Sequence, residues 1–210
     1  MGMDIEIMKL NSEMIKYTSA LKVLETQLEI INDTFKYTKS YNPIEHIKTR
    51  IKTVDSIKKK LKKKGYRFTV KNIEEHINDI VGVRVICSFE DDVYDLVDII
   101  RKSEILTVVK EKDYIKTPKP TGYRSYHMIV KVPVPLINDN VEIFAEIQIR
   151  TLAMDLWASL DHKLNYKSDY TTKRIANKMY KVSNELFKID EEMSKTLKLE
   201  NKIKKQTKKK

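Results

Sequence analysis

The sequence predicts an α+β domain: a mixed sheet of about five strands, flanked by helices, with long helical segments at both ends. Three observations carry this expectation. Apolar residues recur at spacings of three and four near both termini. Short alternating runs of β-branched residues fill the middle. Only four Gly and five Pro occur in 210 residues, which favours long regular elements and short connections.

Taken in order, Leu10, Met14, Tyr17, Leu21, Leu24, Leu28 and Ile31 share one stripe of a helix. Asn42-Pro43 has the chemistry of an N-cap followed by a first helical residue, and Gly65 that of a helix stop. The spacing therefore predicts a second helix with Ile44, Ile47, Ile51, Val54, Ile57 and Leu61 on its apolar face. Lys52, Ser56, Lys60 and Lys63 fall roughly opposite. Ile80–Cys87, Leu106–Asp113, Ser125–Val132 and Val141–Arg150 read as strands, and Asp91–Lys102 as a helix between the first two. Leu152–Leu164 reads as a helix burying Leu156, Trp157, Leu160 and Leu164. Ile175, Met179, Val182, Leu186, Ile189 and Met193 repeat the helical stripe near the C-terminus. Both terminal stripes suit packing on the core and also suit self-association. The expected division is an N-terminal helical segment over 1–40, a core over 41–168, and a C-terminal helix with a basic tail over 169–210.

Composition narrows the function. Hydrophobic residues reach 41%, enough for a core, and charged residues 34%. The formal net charge of +11 attracts polyanions, whether nucleotides or nucleic acid. Lys202, Lys204, Lys205, Lys208, Lys209 and Lys210 cluster in the tail, which fits a solvated end or an RNA contact. Cys87 is the one cysteine, so no internal disulfide forms, in keeping with a reducing compartment. No apolar run approaches the ~20 residues of a membrane span, and Met1–Leu10 lacks a signal peptide's apolar stretch. A cytoplasmic protein without membrane partners is expected.

Three segments carry chemistry. In Val141–Arg150, odd-numbered residues are apolar while Glu142, Glu146, Gln148 and Arg150 fall on the other face with Phe144; a solvated face and a cleft wall both fit. In Asp79–Arg84, Gly82 permits close approach of a ligand or another backbone beside Arg84, whose guanidinium can stack on a base or pair with phosphate. The 112–127 loop mixes Lys112, Lys119, Tyr123 and His127 with two prolines and a glycine, so cations and aromatic faces lie together. His46, His76, His127 and His162 show no metal-binding spacing, and no Gly-rich run ends in Lys-Ser or Lys-Thr. Any phosphate site must use side-chain cations.

Four ordered strings then become specific: Asn-Pro-Ile-Glu-His-Ile-Lys-Thr-Arg at 42–50, His-Ile-Asn-Asp-Ile-Val-Gly-Val-Arg at 76–84, the Lys112–His127 loop, and Glu-Ile-Gln-Ile-Arg-Thr at 146–151. Together they resemble the small alarmone synthetases, single-domain relatives of the Rel/SpoT stringent-response enzymes. The resemblance implies a nucleotidyltransferase-type sheet and a GTP/GDP 3′-pyrophosphokinase. It implies that Arg50 and Arg84 clamp the adenine of ATP and that Lys52, Ser56, Lys60 and Lys63 hold its phosphates. Asp79 and Glu146 would be the catalytic acids and bind Mg²⁺. Tyr123 would stack on guanine, with Lys112, Lys119, His127 and Gln148 around the GDP or GTP.

The long Rel enzymes place a hydrolase ahead of the synthetase. About 40 residues precede the first motif here, so product degradation is not expected. Ile47, Thr49 and Asp155 stand where the RelQ-type branch has an aromatic, a glycine and an amide for binding product. The Pro-Lys-Pro loop and the Asp155 string look closer to the RelP-type branch, although Tyr126 stands where that branch often has leucine. A homotetramer without strong product activation is the expectation. The rival classes are an RNA-binding module, which needs no placed carboxylates, and another nucleotidyltransferase, against which the missing Gly-Ser and Asp-x-Asp pair counts.

Overall fold

A computed structural model describes residues 2–137, 139–166 and 173–207. Helix α1 (Gly2–Thr38) leads into strand β1 (Ile44–Ile51), helices α2 (Val54–Lys63) and α3 (Val70–His76), and strand β2 (Val81–Cys87). Helix α4 (Glu90–Arg101) precedes strands β3 (Thr107–Asp113), β4 (Tyr126–Pro135) and β5 (Asn140–Thr151), which run into helices α5 (Leu152–Tyr166) and α6 (Lys173–Thr207). The sheet order is β1-β2-β5-β4-β3. Strands β2 and β5 are parallel and every other pair is antiparallel, the mixed sheet flanked by helices that the sequence predicts.

One sheet face makes the core. Val81, Val83 and Val85 of β2, Met128, Val130 and Val132 of β4, and Ala145, Ile147 and Ile149 of β5 are buried there. The alternation of the strands puts every second residue on this face. Helix α1 lies against β1, β2, β4 and β5. Leu10, Tyr17, Leu24 and Leu28 of its stripe are buried, so the N-terminal seam is a core seam.

The expected helix from Asn42 to Gly65 is instead a strand, a two-residue break and a shorter helix. Asn42 folds back on Ile44 through its side-chain amide, donating to the Ile44 carbonyl at 2.9 Å and accepting from its N–H at 3.2 Å. It is a turn residue, not a helix cap. Strand β1 then pairs with β2 and carries a bulge between Ile44 and His46. The bulge resets the alternation, so Ile44 joins the inward side of Ile47, Thr49 and Ile51. A bulged strand thereby imitated helical spacing. Thr53 is the real N-cap, its hydroxyl accepting from the Ser56 N–H. Gly65 does end the helix, at φ +82°, with Tyr66 N–H donating to the Leu61 carbonyl at 3.0 Å.

Two further expectations need correction. Trp157 of α5 is buried, its indole N–H on the Met179 carbonyl at 2.8 Å. Leu156, Leu160 and Leu164, however, are about half exposed, in line with Leu152. On α6, Ile175, Ile189 and Met193 are also exposed. Its fully buried residues are polar, namely Ser183, Asp190 and Ser194, while Phe187 packs against the core beside them.

Candidate active site

The sheet register assembles the site on the face opposite α1. Arg50, Gly82, Glu146, Ile129 and Lys110 form one row across all five strands. Lys48, Arg84, Gln148, His127 and Lys112 form the next. Residues from five separate strands become neighbours because side chains in register share a face. Gly82 has a steric reason within this pattern. A Cβ there would lie 3.3 Å from Arg50 Nε and 3.4 Å from its Cγ, so the missing side chain lets Arg50 lie across β2.

Asp79 and Glu146 border one cavity of about 350 Å³ beneath these rows, with Glu111, Lys60, Lys64, Lys112, Lys119, Tyr114 and His127 also on its walls. Asp79 Oδ2 takes both Lys52 Nζ at 2.8 Å and Lys60 Nζ at 2.7 Å. Burial alone would raise the Asp79 pKa; the two lysines more than offset it and hold the group below the ordinary carboxylate range. Its other oxygen, Oδ1, is buried and has no hydrogen-bond partner. Glu146 Oε1 meets His127 Nδ1 at 3.0 Å, and its Oε2 accepts from Gln148 Nε2 at 2.8 Å. Here too burial works to raise the pKa, but His127, Gln148 and Lys60 pull it to about 2. Both acids are ionised at neutral pH.

An aromatic and cationic wall stands beside the acids. Tyr114, Tyr123 and His127 meet edge to face, and Lys119 Nζ sits 4.5 Å from the Tyr123 ring centre and 4.7 Å from that of Tyr114. Tyr123 Oη is 2.6 Å from Arg150 Nη2 and 2.7 Å from His127 Nε2. Its loop is pinned from outside: Gly122, at φ +92°, accepts from Ser183 Oγ of α6, and Arg124 stacks 3.9 Å from the Phe187 ring.

The residues from 49 to 171, more than half of the chain, match the family described as "Region found in RelA / SpoT proteins". The chain belongs to this RelA/SpoT family. It is 51% identical over 156 residues to GTP pyrophosphokinase YwaC of Bacillus subtilis, covering 74% of each chain. It is 37% identical over 154 residues to GTP pyrophosphokinase YjbM of the same organism, covering 73% of this chain and 72% of that one. The structure of small alarmone synthetase 2 from Bacillus subtilis superposes with a TM-score of 0.82 at 43% identity, over 90% of this chain and 98% of that one. Small alarmone synthetase 1 bound to its product pppGpp superposes at 0.83 with 33% identity, over 90% and 96%. The resemblance carried by the four motifs is borne out.

Within this RelA/SpoT fold, the sequence-derived candidates separate by position. Asp79, Glu146, Lys60, Lys112, Lys119 and His127 line the central cavity. Arg50, Arg84 and Gln148 line the adjoining recess with Glu146, and Arg50, Arg84 and Tyr123 a third with Arg150. Lys52 reaches Asp79 from the break before α2, so it is not on the helix face that the periodicity assigned. Ser56 sits in the exposed first turn, 2.9 Å from the capping hydroxyl of Thr53. Lys63 is exposed outside the cavity lining, where its neighbour Lys64 appears instead, donating to the His76 carbonyl at 2.7 Å. Arg150, which the strand alternation places on the cleft face, joins the site without an expected ligand role, and Tyr114 and Lys110 join it beyond the expected residues. Strand alternation could also have found Lys110, which keeps step with Lys112. Nothing local marked Tyr114, which the turn after β3 brings beside Tyr123.

Proposed function

We propose that this chain transfers pyrophosphate from ATP to the ribose 3′-hydroxyl of GDP or GTP, making (p)ppGpp and releasing AMP. The observation that carries the reading is the shared cavity of Asp79 and Glu146, set between Lys52 and Lys60 on one side and the Tyr114–Tyr123 wall on the other. Arg50 and Arg84 flank the adjoining recess and suit a base or phosphate. Tyr123 offers a ring face for guanine, and Lys112 and Lys119 a cationic edge for its phosphates.

A divalent metal fits the donor set. Asp79 keeps one buried oxygen without a partner, and Glu146 borders the same space. A pair of carboxylates suits Mg²⁺, which completes its shell with phosphates and water around one or two carboxylates. Asp79 and Glu146 would hold it, and it would neutralise charge on the ATP phosphates.

In the transfer, the 3′-oxygen bonds to the β-phosphorus, the bond from that phosphorus to the α–β bridging oxygen breaks, and AMP leaves with that oxygen. A carboxylate drawn down to about 2 is a weak base. Glu146 therefore accepts a hydrogen bond from the hydroxyl and aims it while His127 Nδ1–H holds the carboxylate, and the proton is lost to solvent as the new bond forms. Lys60 and the loop lysines gather phosphate charge, and holding two nucleotides together supplies much of the rate.

The exposed Leu152, Leu156, Leu160 and Leu164 stripe of α5 supports a second part of the proposal. These leucines repeat every four residues and lie on one side of the helix. Near Leu152, they meet Ile189 and Met193 of α6 along a groove that also holds Tyr41 and Phe89. Apolar stripes of this kind mark assembly surfaces, in keeping with a homotetramer.

The test is one incubation with labelled ATP, each of GMP, GDP and GTP in turn, and Mg²⁺, followed by chromatography. AMP and a 3′-pyrophosphorylated guanosine nucleotide are expected in equal amounts. ATP that stays intact with every acceptor would reject the reading.

A further inference from the structure

One buried cation ties the two halves of the site together. The Arg150 side chain is 4% exposed, yet it makes contacts in both directions. Nη2 donates to Tyr123 Oη at 2.6 Å and to Gln148 Oε1 at 3.0 Å. Nη1 donates to Asp155 Oδ1 at 3.2 Å. The same Asp155 oxygen accepts from Arg84 Nη1 at 3.3 Å. A continuous path therefore runs from Glu146 through His127, Tyr123, Arg150 and Asp155 to Arg84.

Charge is balanced along this path. Burial disfavours the charged form of Arg84, and the neighbouring Arg150 cation adds to that; Asp155 opposes both. Arg84 is otherwise only partly held: its Nε is buried with no hydrogen-bond partner. A planar guanidinium presents its donors in a fixed fork. Arg150 consequently cannot rotate toward Asp155 without changing its angle to Tyr123 and Gln148. Movement at one end is felt at the other through groups that have no spare freedom.

We infer that Arg150 and Asp155 are positioning residues that couple the two nucleotide sites, so that each nucleotide binds more tightly when the other is present. This rests on the reading above that Arg84 faces ATP and Tyr123 faces the guanosine nucleotide. Fixing Arg84 against the ATP base sets Asp155, which sets Arg150 and hence the Tyr123 ring. The reverse holds by thermodynamic necessity. Asp155 also lies in the first turn of α5, where an acid favours the helix end. A purely structural role for it is the alternative that the experiment must separate.

The probe is an ATP analogue with a methylene between the α- and β-phosphorus, which blocks transfer. Its Kd is measured by calorimetry on the full chain with Mg²⁺, alone and with saturating GDP. In the unmodified protein GDP should tighten the analogue by ~5-fold or more, at the lower end of ordinary site coupling. In Asp155→Asn that ratio should fall close to one while each nucleotide still binds alone. Arg150→Lys should do the same, because a point charge cannot span Tyr123 and Asp155, and it serves if the first variant does not fold. A ratio of one in the unmodified protein overturns the inference. So does a variant that loses stability and weakens both separate affinities but keeps the ratio. Arg84→Ala and Tyr123→Ala are the controls: if the first leaves analogue binding unchanged, or the second leaves GDP binding unchanged, the site assignment itself falls, and the coupling with it.

Discussion

Replacing Glu146 by glutamine keeps the shape of the side chain and removes its charge, and the network around it sets the consequences. Gln148 cannot flip to welcome the new amide: its Nε2 faces Glu146 at 2.8 Å while its Oε1 accepts from Arg150 at 3.0 Å. The new amide must therefore turn its oxygen to Gln148 and its NH₂ toward His127 Nδ1. His127 can accept there only as the neutral tautomer with its proton on Nε2. Glutamine thus approximates the protonated acid. The fall of the Glu146 pKa from 4.5 to about 2, at 1.36 kcal/mol per unit, makes the ionised form worth roughly 3 kcal/mol to the fold as an upper value. The side chain is 17% exposed, so solvent screening removes little of this. Because the folded-state pKa is depressed, the stabilisation is complete above about 4.5 and is lost as pH falls toward about 2. Urea unfolding should accordingly show Glu146→Gln less stable by ~1–3 kcal/mol at pH 7, with the gap narrowing in acid below pH ~4.5. Turnover should fall by more than ~10²-fold. Near-unmodified turnover in the variant would refute the catalytic role. A stability gap that stays constant into acid would refute the claim that an ionised carboxylate holds the network.

Three further outcomes are expected. Gly122→Ala places a Cβ 2.9 Å from that of Ser183 at φ +92°, so stability should drop by ~1–3 kcal/mol in thermal unfolding and the KM for the guanosine nucleotide should rise more than that for ATP. Asp79→Asn removes the anion shared by Lys52 and Lys60 together with the unpartnered buried oxygen; a Mg²⁺ titration of activity should shift by more than ~10-fold, and an unchanged midpoint would exclude Asp79 from the metal site. Leu156→Glu with Leu160→Glu puts two charges on the exposed α5 stripe, so light scattering after size exclusion should report a smaller assembly with the circular dichroism spectrum unchanged; the same mass as the unmodified protein would rule the stripe out as an interface.

The local rules of the chain determined a good deal by themselves. Strands β2, β4 and β5 follow from period-two alternation among β-branched residues, because one buried face suffices to specify it. The α1 stripe and the Gly65 stop were legible for similar reasons, spacing in one case and a left-handed backbone in the other. The candidate residues were legible as members of four ordered strings. Only the tertiary structure decided the segment from Asn42 to Gly65, where a bulge at Ile44 and His46 gave a strand the spacing of a helix, and pairing with β2 overrode the local signal. Only packing decided which leucines of α5 are covered, since periodicity marks an apolar side without saying what meets it. The carboxylate environments were likewise undetermined. Lys52 and Lys60 converge on Asp79, and Arg150 bridges Tyr123 to Asp155, because sheet register and helix placement bring together residues far apart in the chain. Charge interactions depend on distance in space, and a single sequence records only distance along the backbone.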